Sequence, residues 1–232
     1  MLVYGRNVAK EVLQKPEKVR KITLMKDFSD KEINSLIEKN KIKVEYLDKK
    51  GFAKFDKYSH QGIILDIEDF SYVNYKDFLD EADAKIVILD HLEDPHNLGA
   101  IIRTCEAAGI LGIIIPKDRS VDINSTVMKT SAGALENVKI AKVTNLVNVI
   151  DDLKENGYWI VGTAMEGDVD YRDVDYTGKI ALVIGNEGNG ISRSVLQSCD
   201  YIAKIPMYGK INSLNASVAA GIMIYEMISL DK

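Results

Sequence analysis

Apolar positions along the chain fall into short runs separated by helical stretches, and the character of the runs changes part-way. In the front part, helix-like stretches at Asn7–Gln14 and Lys31–Lys39 alternate with strand-like runs at Val19–Met25, Lys43–Leu47 and Gly62–Ile67. This predicts a compact α/β module over residues 1–70. Ser71–Ala84 is acidic and polar without a strand pattern, and reads as a linker with a short helix. From Lys85 the runs are apolar throughout: Ile86–Leu89, Ile113–Ile115, Trp159–Val161 and Ile180–Ile184. Strands apolar on both faces belong in a covered parallel sheet, and their spacing leaves room for crossover helices. Residues 85–232 therefore predict a doubly wound α/β domain with its site outside the carboxyl ends of the strands. The stretch 215–228 reads as a helix that is apolar around much of its circumference, buried in a core or between subunits.

Composition sharpens this picture. With 232 residues and 46% hydrophobic content, the chain can bury a full core and a smaller second one. Met1–Lys10 carries Arg6 and Lys10 and no long apolar stretch, so neither a signal peptide nor a membrane span is readable, and a cytoplasmic location is expected. Two cysteines, Cys105 and Cys199, and three histidines without zinc-like spacing predict free thiols and no structural metal. The net charge of −5 argues against a polyanionic partner until its distribution is read. Residues 1–57 hold 15 Lys and Arg against 9 Asp and Glu, and residues 58–232 hold 15 against 26. A basic front on an acidic body suggests that one part grips an anion, although charge alone leaves a plain solvated surface equally open.

Three segments stand out, each beginning where an apolar strand ends. In the first, Ile86–Arg103, Pro95 and Gly99 punctuate a strand-to-helix turn; Asn97 is either a helix cap or a functional amide, and Arg103 leaves an apolar surround. In the second, Ile180–Gly190, a buried strand runs into a turn holding Gly185, Glu187, Gly188 and Gly190, without the dinucleotide fingerprint. In the third, Ala203–Tyr225, Ser213 or Asn215 caps a helix whose Ala216, Ala219, Ala220 and Gly221 allow close helix packing. Paired carboxylates among Asp90, Glu93 and Asp94 and a metal at His91 and His96 are weaker readings, and Ser213 lacks a nucleophile-elbow pattern.

Together, in order and spacing, these segments resemble the motifs of TrmH-type RNA ribose 2′-O-methyltransferases of the SPOUT superfamily. Tyr4-Gly5 and His60-Gln61-Gly62-Ile63 resemble that family's N-terminal substrate-binding domain. Pro116–Ser120 and Ser131–Ala134 look most like its branch acting on guanosine in large-subunit ribosomal RNA. The resemblance implies a parallel-sheet α/β domain with a C-terminal trefoil knot, preceded by a small ribosomal-protein-like RNA-binding domain. It implies a homodimer that uses S-adenosylmethionine, without metal or membrane, to methylate a ribose 2′-hydroxyl of RNA. The family's functional polar positions fall on Asn97, Arg103, Glu187, Ser213 and Asn215, with Arg103 as its general base. Cofactor-binding positions fall on Thr163, Gly185, Glu187, Gly188, Ile205, Met207 and Leu214. Transfer RNA as substrate and a non-catalytic ribosome-assembly factor of the same fold are the alternatives; a dehydrogenase fits less well because the Gly-rich turn comes late and lacks the nucleotide fingerprint.

Overall fold

The computed structural model describes residues 1–14 and 16–229, which form two compact units. Unit one comprises Met1–Ser71 and Ile123–Gly133; unit two comprises Tyr72–Asp122 and Ala134 onward.

In unit one, β1 (Leu2–Tyr4), α1 (Arg6–Val12), β2 (Val19–Met25), α2 (Lys31–Asn40), β3 (Val44–Leu47), the single turn α3 (Lys49–Phe52) and β4 (Ile63–Ile67) follow in order. The sheet order is β1-β4-β2-β3, with β4 antiparallel to both neighbours and β2 parallel to β3. Alternation along the strands puts Val3, Ile22, Leu24, Ile63 and Leu65 on one face, where they share a core with Val8, Ala9 and Val12 of α1 and Ile33 and Ile37 of α2. Asp30 caps α2 by accepting from the N–H groups of Glu32 and Ile33. The residues His60-Gln61-Gly62 shape the approach to β4. His60 Nδ1 accepts from Gly62 N–H at 2.9 Å, Gln61 Oε1 accepts from Arg6 N–H at the start of α1 at 2.9 Å, and Gln61 and Gly62 both have positive φ.

Unit two is built on β5 (Lys85–Asp90), α4 (Pro95–Ala107), β6 (Gly112–Pro116), β7 (Lys139–Val143), α6 (Leu146–Glu155), β8 (Trp159–Thr163), β9 (Val169–Asp170), β10 (Ile180–Gly185), α7 (Arg193–Gln197), β11 (Tyr201–Lys204) and α8 (Ala216–Met227). The intervening α5 (Ser125–Ser131) lies in the segment that clusters with unit one, where Met128 packs against the core, so residues 123–133 depart from the expected sequence division. All seven strands run parallel in the order β7-β6-β5-β10-β8-β11-β9. Ile86, Ile88, Ile114, Ile160 and Val183 form one face with Val149, Ile150 and Leu153 of α6 and Val195 of α7. Val87, Leu89, Ile113, Leu182 and Ile184 are equally buried, and α8 packs on β10 and on α4. Both faces are covered, which is why these strands read as unbroken apolar runs.

The stretch expected as a linker with a short helix holds one helical turn, Tyr75–Phe78, and is packed into unit two. From Tyr72 it belongs to unit two: Val73 N–H donates to Ile140 O at 2.9 Å, and Phe78 is fully buried in the core. Gly112 of β6 makes room for that ring, since a Cβ there would lie 2.4 Å from Phe78 Cζ. Val73, Tyr75 and Leu79 pack beside Phe78, but spaced among polar residues they do not alternate as a strand; removing a ring such as that of Phe78 costs about 3–5 kcal/mol.

Candidate active site at the carboxyl edge of the parallel sheet

Register aligns the strand ends that matter. Gly185 ends β10 opposite Asp90 of β5, and Ala203 of β11 pairs with Thr163 at the end of β8. The loops after β5, β8, β10 and β11 therefore emerge along one edge, where an open α/β sheet holds its ligand.

The loops after β5 and β10 are tied by three hydrogen bonds. Asp90, 1% exposed, accepts from Ser192 N–H at 2.6 Å and also from His91 Nδ1. Asn186 Nδ2 donates to His91 O at 2.9 Å. Asn97 Nδ2 donates to Glu187 Oε1. The Gly-rich turn is itself closed by reciprocal bonds between Asn186 and Gly190, and Asn186 Oδ1 accepts from Gly188 N–H at 2.7 Å. Gly185 has no substitute: a Cβ would lie 2.2 Å from the carbonyl carbon of Gly190. His91, with φ of 57°, holds a left-handed conformation that a non-glycine residue adopts only when its surroundings fix it.

Asn97 is not the cap of α4. That role belongs to Asp94, whose carboxylate accepts from His96 N–H at 2.8 Å, with Pro95 at the first helical position. Asn97 lies one turn in, buried, and its amide is spent on Glu187. Arg103, six residues on, is turned well away from it around the helix, is exposed, and makes no hydrogen bond or ion pair among the described residues. Of the two expected caps of α8, Asn215 acts, its Oδ1 accepting from Ser217 N–H at 2.9 Å.

Beside these loops a hollow with about 490 Å³ of free volume, part of it open to solvent, is lined by Thr163, Met165, Ile205, Met207, Ser213 and Leu214 among others. Four of the expected cofactor positions, Thr163, Ile205, Met207 and Leu214, thus come together; Gly185, Glu187 and Gly188 lie in the neighbouring turn and do not line it. Thr163 Oγ1 is engaged with Val183 O at 3.1 Å. The loop from Met207 to Leu214 has no hydrogen bond to its backbone among the described residues, leaving its N–H and C=O groups to water or a ligand. Sequence reasoning missed Asn212, Met165 and Ala219 in the lining and the tying roles of Asn186 and Ser192. Of these only Asn186 carried a signal, as a turn-forming Asn between a strand and glycines.

Desolvation raises the thiol pKa of Cys105 and pushes that of Cys199 up to about 12, so neither offers a thiolate nucleophile. Among the described residues no three His, Cys, Asp or Glu side chains gather as a metal set, and no helix is long and apolar enough to cross a membrane.

Comparison with known proteins gives the family. The SpoU rRNA Methylase family matches residues 84–225, and the family described as RNA 2′-O ribose methyltransferase substrate binding matches residues 2–73. A Staphylococcus saprophyticus protein named as a TrmH family tRNA/rRNA methyltransferase is 42% identical over 235 residues, covering 98% of this chain and 94% of its own. The AdoMet-bound rRNA methyltransferase from Sinorhizobium meliloti superposes with a TM-score of 0.81 at 26% identity, over 99% of this chain and 87% of its own. For the SpoU methyltransferase AviRb from Streptomyces viridochromogenes, in complex with AdoMet, the TM-score is 0.82 at 26% identity, over 100% and 90%. The chain belongs to the SpoU rRNA methylase family.

Proposed function

We propose that this chain transfers the methyl group of S-adenosylmethionine to a ribose 2′-hydroxyl of RNA, with a guanosine of large-subunit ribosomal RNA as the target. That it is an S-adenosylmethionine-dependent RNA methyltransferase follows from its family; the acceptor position and the RNA are our reading. The observation that carries it is the meeting of a mostly apolar hollow, with a backbone free to bond a nucleoside, and a polar loop pair fixed at the same sheet edge.

The residues fit the cofactor. Ile205, Met207 and Leu214 offer apolar surface for an adenine ring, and the loop around Ser213 offers unpaired backbone groups for its edge and ribose. When bound, the sulfonium supplies an electrophilic methyl group whose leaving sulfide departs neutral. The chain's own task is to align the acceptor oxygen with that methyl and to manage its proton. A guanidinium stays protonated in proteins, so Arg103 serves better as an unpaired cation that fixes an RNA phosphate and stabilises charge developing on the 2′-oxygen. Asn97 and Glu187 hold the two loops in register, Asn215 fixes the start of α8, and Ser213 orders the hollow.

We further place the C-terminal strands in a trefoil knot and read the working form as a cytoplasmic homodimer. A sheet order in which β10 lies between β5 and β8 while β11 returns beyond β8 supports the first. Exposed Met207, Tyr208, Ile211, Leu214, Val218 and Tyr225, concentrated on one stretch of unit two, support the second. The division of labour follows the charge: residues 1–70 bind RNA, and residues 85–232 hold the cofactor and carry out transfer, as a unit the intervening segment joins.

The test is to incubate the purified chain and S-adenosylmethionine with unmodified ribosomal RNA and, separately, transfer RNA, then map positions newly resistant to alkaline cleavage. Resistance at one large-subunit guanosine is the expected result. Resistance in transfer RNA alone overturns the target and keeps the chemistry. No resistance in either returns the binding-only alternative.

A further inference from the structure

The basic excess of the front of the chain is not spread evenly over unit one. Residues 29–41, which include α2, carry three lysines against three acidic residues. Two cations of the helical face are spent internally: Lys10 pairs with Glu32 and Asp30, and Arg6 lies 3.6 Å from Asp30. The opposite side of the sheet differs. Register and alternation put Lys21 of β2 and Glu45 of β3 on the face turned away from the helical core, 2.8 Å apart. Glu45 is held below the ordinary carboxylate range by the hydrogen bond from Lys21, with the charges of Lys21, Lys54 and Lys43 adding to it. Lysines from three separate segments therefore converge on one carboxylate.

Two lysines here sit over aromatic rings and make no ion pair within 4.0 Å among the described residues. The ammonium of Lys54 sits 5.0 Å from the centroid of Phe55, and that of Lys57 sits 4.9 Å from Tyr58, whose ring stacks on Tyr4 at 4.8 Å. An aromatic face holds an ammonium by its quadrupole and leaves the full positive charge for another partner, whereas a carboxylate such as Glu32 cancels it. A cation that is positioned and still charged is what a phosphate requires.

We propose that the patch formed by Lys21, Lys43, Lys54 and Lys57, with the rings of Phe55 and Tyr58 beneath the last two, is the surface on which this chain grips the RNA phosphate backbone. It rests on the RNA reading of the previous section and adds the face, the residues and a sign for each. Glu45 is the brake: it holds Lys21 and subtracts from the field.

The experiment titrates the full chain into a fluorescein-labelled stem–loop RNA, reading anisotropy between 50 and 200 mM KCl, conditions over which phosphate contacts are weighed by their salt dependence. Each phosphate contact adds roughly 0.7–0.9 to the slope of log affinity on log salt. The combined Lys43→Ser, Lys54→Ser, Lys57→Ser variant is expected to flatten the slope by about 2 and to weaken binding at least about tenfold. Glu45→Gln is expected to tighten binding severalfold, a direction that loss of a merely structural ion pair does not give. Lys10→Ser, Lys31→Ser and Lys39→Ser together, on the helical face, are expected to leave the slope unchanged. An equal loss from the helical-face variant, or weaker binding by Glu45→Gln, overturns the patch. Methyl transfer by the wild-type chain onto ribosomal RNA is measured in parallel, so that a failure of the enzymatic reading is seen there while the slopes still decide the patch.

Discussion

Both units carry motifs with polar residues in loops beside strands, yet they use them differently. In unit one, Gln61 and His60 spend their polar atoms on backbone N–H groups of Arg6 and Gly62, so the motif builds the turn into β4 and leaves function to surface lysines. In unit two, Asp90, Asn97, Asn186 and Glu187 also bond locally, but those bonds knit two loops at the sheet edge beside a hollow and an unpaired Arg103. Affinity for a polyanion comes from many interchangeable charges, whereas alignment of a reacting oxygen needs a few groups held within fractions of an ångström. Loss of function should therefore be steep in unit two and graded in unit one.

The steepest fall is expected at Gly185. An added Cβ meets backbone at 2.2 Å, which no rotamer change relieves, so Gly185→Ala is expected to cost at or above the ~3 kcal/mol upper end of ordinary overpacking and to abolish cofactor binding. Thermal unfolding and calorimetric titration with S-adenosylmethionine check it; a variant with wild-type melting and binding would mean the turn can open without loss. Next comes Arg103→Ala, expected to lower kcat by about 10²–10³-fold with cofactor affinity unchanged, because the exposed guanidinium supports no other part of the fold. An active variant removes both the charge-stabilising and the base role.

A smaller effect separates tie from catalyst. Asn97→Ala breaks the bond to Glu187, and a hydrogen bond to a charged group is worth about 1.5–3 kcal/mol, nearer the lower value here because Glu187 is exposed. Lower thermal stability with a matching loss of cofactor affinity is expected, whereas a large fall in kcat at unchanged stability would give Asn97 a direct role on the substrate. Asn97→Asp, which sets a carboxylate against Glu187, is expected to be worse than the alanine.

The parallel strands of unit two were legible because burial on both faces writes continuous apolar runs such as Ile86–Leu89 and Ile180–Ile184. Lys139–Val143 and Tyr201–Lys204 escaped, since edge-ward strands with Lys139, Lys142 and Lys204 lose that signature. Gly, Pro and Asn at strand ends marked the loops of the site, and the order and spacing of the three segments carried the resemblance, which in turn pointed to Asn97, Arg103, Glu187, Ser213 and Asn215. Pairwise facts were not legible: that Asp94 rather than Asn97 caps α4, that Asp90 answers Ser192 from 102 positions away, and that Phe78 anchors what reads as a linker. The last two depend on residues far apart in sequence, which periodicity does not sense, and the first turns on where the helix starts, which Asp94 and Asn97 mark equally well as cap residues.

The finest distinction between the units lies at Gln61, where side chain and backbone pull in opposite directions. Its φ of 50° is strained for any residue with a Cβ, while its Oε1 serves the Arg6 N–H at the start of α1. Gln61→Ala keeps the strain and loses the bond, at about 1 kcal/mol. Gln61→Gly loses the same bond but relieves the left-handed backbone, which returns roughly 0.5–1 kcal/mol, so its melting temperature should lie above that of the alanine variant and close to wild type. If the residue acts only through the fold, RNA affinity in both variants should follow stability and the salt slope should not change. A Gln61→Gly chain that melts like wild type but has lost RNA binding would mean that the glutamine touches RNA directly, and the contrast between an architectural motif in unit one and a functional one in unit two would fail at that residue.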